Sequence, residues 1–246
     1  MMKVNDIRKE FIRKLCNNEY VTDKTGVSTL EIMGGTFIAD EPAIFGKVNW
    51  DYVQREIAWY ESCSLNVYDM PGGIKQETNP PQIWMTVADK DGFINSNYGW
   101  CIFSKENGDQ YSKCVEALKN DPDTRRAIMI YTRPEMQVDY NKNGRSDFMC
   151  TNTVQYLQRD GKVNAIVQMR SNDGWAGYKN DRAWQDYVLS MVADETGYEK
   201  GDIYWNAGSL HFYQQKFYLI DHCAKTGEIS IPKKKYIELY PDSPFI

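Results

Sequence analysis

The 246-residue chain is 42% hydrophobic and 26% charged, the balance of a globular protein, and its longest apolar runs fall far short of a membrane span. A formal net charge of −5 argues against a general nucleic-acid binder, which needs a basic footprint to displace phosphate counterions, but leaves room for a small anionic substrate in a local basic pocket. Six cysteines without a CxxC pair, and only two histidines, favour reduced thiols and no structural metal. The start, Met1 to Asp6, runs directly into an amphipathic pattern without an apolar export signal, so a cytoplasmic location is expected. No Pro/Gly/Ser-rich linker interrupts the chain, and a single domain over residues 1–246 is expected.

Val4, Ile7, Phe11, Ile12 and Leu15 predict an amphipathic first helix that ends near Asn17-Asn18. A polar turn, Asp23-Lys24-Thr25-Gly26, leads to strand-like Thr29 to Met33 and Thr36 to Ile38 around Gly34-Gly35. Asn49 to Ser62 carries Trp50, Val53, Ile57 and Tyr60 at helical intervals; Glu56 lies between them and has water as its simplest environment. Pro71-Gly72-Gly73 and Asn79-Pro80-Pro81 bracket an irregular connection, after which Ile83-Trp84 begins a short helix. Trp84 and Tyr98 are, as aromatics, core residues more often than ligand contacts. A further helix is predicted from about Asp109 to Lys119, ahead of Asp121-Pro122. Arg125 and Arg126 then open the apolar strand Ala127 to Tyr131, where two planar guanidinium forks suit a phosphate. The run from Asp139 imitates the start of a calcium loop, but its twelfth position is Cys150 and calcium is rejected.

Cys150 to Arg159 and Lys162 to Arg170 read as two strands joined by the two-residue hairpin signal Asp160-Gly161. Counting back from the turn places Cys150 opposite Ser171 and Thr151 opposite Arg170, so a thiol, a hydroxyl and a guanidinium gather at one hairpin end. A nearby cation favours the nucleophilic thiolate, though strict pairing points Arg170 to the other face and direct contact needs a local bulge. Beyond the hairpin, Asp181 to Thr196 is predicted as a helix, with Asn180 or Asp181 as an ordinary N-cap. Asp202 to Asn206 reads as a strand, Ala207-Gly208-Ser209 as a turn, and Leu210 to Ala224 as a last helix bearing both histidines. Helices dispersed among strands give an α+β fold class with a mixed, largely antiparallel sheet flanked by helices.

Taken together, Asp23-Lys24-Thr25-Gly26, Glu56, Ile83-Trp84, Asn97-Tyr98-Gly99, Pro122 to Arg126, Cys150, Arg170-Ser171-Asn172-Asp173, Gly177 and His211-Phe212-Tyr213 occur in the order and at the spacing of one family. Over almost its whole length the sequence resembles the thymidylate synthase superfamily, and within it the phage-type deoxycytidylate hydroxymethylases. Ile130 to Pro134 and Asp147 to Tyr156 carry that second likeness. The resemblance implies a homodimer in which Cys150 attacks C6 of a pyrimidine nucleotide, so that C5 captures a one-carbon unit from 5,10-methylenetetrahydrofolate. By position, Lys24, Arg125, Arg126, Arg170 and Ser171 are expected at the 5′-phosphate, with Arg125 and Arg126 donated by the other subunit. His211 and Tyr213 are expected at the deoxyribose 3′-hydroxyl, and Glu56 at water and proton transfers. Asp173 is expected to contact the folate and nucleotide, Trp84 and Tyr98 to line the reaction cavity, and Gly177 to face the folate.

Three departures from the synthase pattern point to dCMP and to water as the final nucleophile. The synthases have asparagine where this chain has Asp181; a protonated carboxyl there accepts from cytosine N4 and donates to N3, matching the edge that uracil inverts. Thr151 replaces the histidine that usually follows the synthase nucleophile, and Val87 a second tryptophan. The remaining readings are thymidylate synthase acting on dUMP, a CMP hydroxymethylase, and a catalytically silent nucleotide-binding scaffold.

Overall fold

The computed structural model describes residues 1–22, 26–72 and 80–246. Asp23, Lys24 and Thr25 lie outside the described residues. In chain order the elements are α1 (Val4–Cys16), β1 (Val21–Thr22), β2 (Ser28–Ile38), α2 (Trp50–Glu61), α3 (Gln82–Val87), α4 (Tyr98–Phe103), α5 (Gln110–Asn120), β3 (Ile128–Ile130), α6 (Met136–Asp139), β4 (Thr151–Arg159), β5 (Lys162–Asp173), α7 (Gly177–Thr196), β6 (Glu199–Tyr213), α8 (Phe217–Thr226) and α9 (Lys233–Leu239). The strands form a six-stranded sheet in the order β1-β2-β6-β5-β4-β3. β1 with β2, β2 with β6, and β3 with β4 pair antiparallel. This is the α+β architecture expected.

The described chain divides into two compact units. The first comprises residues 1–48, 169–185 and 202–246. In it α1 buries Val4, Ile7, Phe11 and Leu15, one face of a 3.6-residue period, with Phe11 packed edge-on to Phe212 at 4.7 Å. Arg8 is buried on the same helix, and its guanidinium is satisfied by Glu41 (2.7 and 2.5 Å) and by the carbonyls of Ala43 and Ile44. A buried cation requires that many partners, and the loop leading to Gly46 is fixed as a result.

The second unit comprises residues 49–168 and 186–201. Asn49 caps α2 by accepting from the Tyr52 N–H, and Val53, Glu56, Trp59 and Tyr60 face inward. Asn97 caps α4 through the Trp100 N–H and donates to the Trp59 and Ser64 carbonyls. α4 approaches α2 so closely that a Cβ on Gly99 would lie 1.8 Å from the Tyr60 carbonyl oxygen. Asp160 and Gly161 both have positive φ (52° and 78°), the two-residue hairpin turn expected between β4 and β5.

Four expectations are corrected. β2 is one continuous strand that runs through Gly34-Gly35 rather than breaking there. The α7 helix starts at Gly177, four residues before Asp181, so Asp181 is an interior helix residue and not an N-cap. Ala207-Gly208-Ser209 is not a turn but the middle of β6, in register with β2 from Tyr204 to Tyr213. Leu210 to Ala224 is therefore not one helix: His211 is on a strand and His222 on α8. The reason is a period of two on either side of a one-residue shift: Ile203, Trp205 and Ala207 are buried, then Leu210 and Phe212, with Gly208 and Ser209 both accessible between them.

Candidate active site

In the second unit the nucleophile candidate Cys150 is half-buried, immediately ahead of β4, with Sγ 3.8 Å from the Phe148 carbonyl oxygen. The segment leading to it is pinned at successive residues. Arg145 pairs with Asp89 at 3.1 Å, and the Ser146 N–H donates to the Val87 carbonyl at 2.9 Å. Asp147, 7% exposed, accepts from the Asn95 backbone N–H at 2.7 Å and its side-chain amide at 3.1 Å. Burial raises the Asp147 carboxyl above its usual range. Cys101 and Cys114, by contrast, are buried thiols pushed up to about 12 by desolvation, the state of structural cysteines.

Glu56 does not face water. It is 5% exposed, and Oε1 accepts from the Tyr52 hydroxyl at 2.5 Å and from Trp84 Nε1 at 3.3 Å. Trp84 Nε1 also donates to the Tyr52 hydroxyl at 3.0 Å, which closes a three-membered network. Burial pushes the Glu56 carboxyl up to about 7, against the lowering effect of the hydrogen bonds from Tyr52, Trp84 and Tyr60. A carboxyl in that range exchanges its proton at neutral pH. Trp84 packs edge-on to Trp59 at 5.2 Å; Tyr98, 5% exposed, lies between Tyr60 and Tyr131, each 5.3 Å away. Tyr52 was not singled out in the sequence, although its i, i+4 spacing to Glu56 on one helix is the signal for it.

Arg125 and Arg126 stand exposed before β3. Their backbone is fixed by Thr124 Oγ1, which accepts the Arg126 N–H at 3.2 Å, and by Gln155, which donates to the Arg125 carbonyl at 2.9 Å.

In the first unit β5 ends in Arg170, Ser171, Asn172 and Asp173. Gly208 of β6 passes so close that a Cβ there would lie 2.8 Å from the Arg170 carbonyl oxygen. Asp173 accepts from the Trp175 and Ala176 N–H groups at 3.0 and 3.1 Å, closing the turn that leads into α7. Asp181, half-buried on α7, accepts at Oδ2 from the Asn172 side-chain amide at 2.8 Å. Gly177 leaves space for that pair: its Cβ would lie 3.2 Å from Asn172 Nδ2 and 3.5 Å from Asp181 Oδ2. Asn172 is the second residue that the sequence reading did not assign.

His211 faces Glu31 across the β2/β6 pairing, and Ser209 connects them. The Ser209 hydroxyl donates to Glu31 Oε1, so the lone pair of the same oxygen meets His211 Nδ1 at 3.2 Å. In this network Nδ1 is the donor to the Ser209 hydroxyl oxygen. Tyr213 packs edge-on to the His211 ring at 5.1 Å.

A family model described as thymidylate synthase matches residues 9–237. The deoxycytidylate 5-hydroxymethyltransferase of Enterobacteria phage T4 is 54% identical over 246 residues, covering 97% of this chain and 98% of that protein. The chain belongs to the thymidylate synthase family. The enzyme of the same name from Enterobacteria phage T6 is 54% identical over 242 residues, 96% of each chain. The solved thermostable thymidylate synthase A of Bacillus subtilis covers 94% of this chain and is itself covered to 87%, with a TM-score of 0.70 at 23% identity, a likeness of fold. Among the described residues no cluster of His, Cys, Asp and Glu could hold a metal ion, and no helix is long and apolar enough to cross a membrane.

Proposed function

We propose that this thymidylate synthase family chain converts dCMP to 5-hydroxymethyl-dCMP as a homodimer, each subunit a single catalytic domain over residues 1–246. Cys150 adds to C6 of the cytosine, which turns C5 into an enamine-like nucleophile. C5 takes the methylene carbon of 5,10-methylenetetrahydrofolate; loss of C5–H and of tetrahydrofolate leaves an exocyclic methylene. Water adds there, the thiolate departs from C6, and the products are 5-hydroxymethyl-dCMP and tetrahydrofolate. Glu56, with its proton available near neutral pH, serves the proton transfers and orders water with Tyr52 and Trp84. Lys24, Arg170 and Ser171, with Arg125 and Arg126 of the second subunit, bind the 5′-phosphate. His211 and Tyr213 hold the 3′-hydroxyl; Trp84, Tyr98, Asp173 and Gly177 serve the folate side.

The observation that carries the choice of base is the Asp181–Asn172 pair. Asn172 commits its amide donor to one carboxyl oxygen, which fixes the orientation of the side chain at position 181. A carboxyl group offers cytosine both the acceptor that N4 requires and the proton that N3 takes, and proton donation to N3 also offsets charge that builds in the ring when Cys150 adds. The names of the phage relatives agree with this base.

Replacing Asp181 with asparagine tests it. Each mispaired buried polar group costs about 1 to 3 kcal/mol, so kcat/KM for dCMP falls and turnover of dUMP becomes measurable, a change in preference of roughly tenfold to more than a hundredfold. An unchanged dCMP:dUMP ratio at saturating methylenetetrahydrofolate refutes the assignment. Accumulation of dihydrofolate by the unmodified protein points instead to thymidylate synthesis.

A further inference from the structure

The first unit contains a group of cations that the proposed chemistry does not use. Trp175, half-buried between β5 and α7, has two ammonium groups over its ring: Lys216 Nζ at 3.5 Å and Lys179 Nζ at 4.4 Å from the centroid. Lys179 is 7% exposed, and its Nζ donates to one protein oxygen, the Lys47 carbonyl at 3.1 Å. Among the described residues neither lysine has a carboxylate in ion-pair contact. Asp173 is the acidic group nearest in effect to both, but its oxygens already accept from the Trp175 and Ala176 N–H groups. Lys233 adds a further positive charge to the field at Lys216.

The backbone approaches these groups closely. Gly46 has φ +81°, and a Cβ there would lie 3.1 Å from Trp175 Nε1 and 3.6 Å from Lys179 Nζ. The Gly46 N–H is anchored to the Ile229 carbonyl at 2.7 Å, on the loop that Arg8 pins. Burial lowers the pKa of both ammonium groups, that of Lys179 to about 8. A cation–π contact returns only part of what desolvating an ammonium costs, and a second cation on the same ring adds repulsion. A packing role alone is better served by methionine or leucine at 179. What the arrangement lacks is an anion.

We propose that Lys179, Lys216 and the Trp175 N–H, grouped beside Gly46, form a receiving site for an oxyanion on a small ligand, a carboxylate or a phosphate. Two sources fit that chemistry. One is the glutamyl carboxylate of the folate co-substrate, suggested by the neighbouring Asp173; this arm rests on the function proposed above. The other is free phosphate, which does not rest on it.

Folic acid and pteroic acid differ by the glutamate, so equilibrium dialysis of both against the full chain with saturating dCMP isolates its contribution. Sodium phosphate is titrated separately without nucleotide. Lys179→Gln, Lys216→Gln and, as control, the exposed Lys225→Gln, whose ammonium pairs with Asp221, are compared with the unmodified protein. The expected result is tighter binding of folic acid than of pteroic acid by roughly tenfold or more, lost in Lys179→Gln and Lys216→Gln and kept in the control. A phosphate affinity lost in the same two variants supports the site with phosphate as occupant. If neither the folic:pteroic ratio nor phosphate affinity changes in Lys216→Gln, the proposal is overturned; that half-buried position decides the matter even if Lys179→Gln fails to fold. dCMP turnover by the unmodified protein is measured alongside. Turnover with equal discrimination in all variants removes the site and leaves the proposed function standing, whereas absence of turnover counts against that function and the phosphate titration then decides the site alone.

Discussion

Replacing Glu56 with glutamine is predicted to stabilise the protein at alkaline pH while abolishing its turnover. In the unfolded chain this carboxyl ionises at its ordinary value of 4.5, whereas burial in the fold holds the proton up to about 7. Between those values the folded state binds more protons than the unfolded state, so stability falls as pH rises, and the loss is complete above the folded value. At about 1.4 kcal/mol for each pKa unit the full loss is about 3.5 kcal/mol, an upper figure because water entry and local relaxation soften it. Glutamine cannot ionise, and its carbonyl still accepts from Tyr52. The stability difference between variant and parent should therefore be about 2 to 3 kcal/mol more favourable to the variant at about pH 8 than at about pH 5. Urea denaturation followed by tryptophan fluorescence measures it, with turnover of dCMP read in parallel. A difference that does not change with pH would show that Glu56 is not a buried acid titrating near neutrality, and the proton-transfer role derived from its environment would fall with it.

Ser209→Ala should raise KM for the nucleotide about tenfold with a smaller effect on kcat, because the His211 ring loses the hydroxyl that accepts from its Nδ1; an unchanged KM separates Ser209 from nucleotide binding. Gly99→Ala should destabilise the fold by about 3 kcal/mol, since its new methyl meets the Tyr60 backbone and not a movable side chain; a change of melting temperature within error removes that argument. Mixing Cys150→Ala with Arg126→Glu protein should restore activity in heterodimers that contain one intact site. Recovery is read after verified subunit exchange, and its absence counts against sites shared between subunits.

The parts of this molecule that are legible in its sequence are those whose cause is local. Asp160-Gly161 announces its hairpin because both residues tolerate positive φ, and the period of Val53, Ile57 and Tyr60 announces α2. The first half of β6, Asp202 to Asn206, reads as a strand, but its second half fits a turn and a helix start because Gly208-Ser209 interrupts the alternation, and the partner that decides the matter, β2, lies far away in the chain. The start of α7 is hard to place from sequence because only a short turn, closed by the last residue of β5, Asp173, separates that strand from the helix. Glu31 and Ser209 were invisible for a plainer reason: 178 residues separate them, and only strand pairing brings them together. Cys150 and Arg170 are candidates from the hairpin register and Asp181 from the family resemblance, whereas the environment of Glu56 comes only from the fold.

The two buried thiols on α4 and α5 have a practical consequence for any electrophile offered to this protein. Cys101 and Cys114, protonated until about pH 12 and shielded from solvent, react slowly with an alkylating agent at neutral pH. Half of the six sulfhydryls, Cys16, Cys63 and Cys150, retain solvent access, and burial raises the pKa of Cys63. A substrate-shaped warhead thus competes with few alternative sulfurs, and the mass added per chain after brief labelling becomes a direct count of occupied catalytic centres.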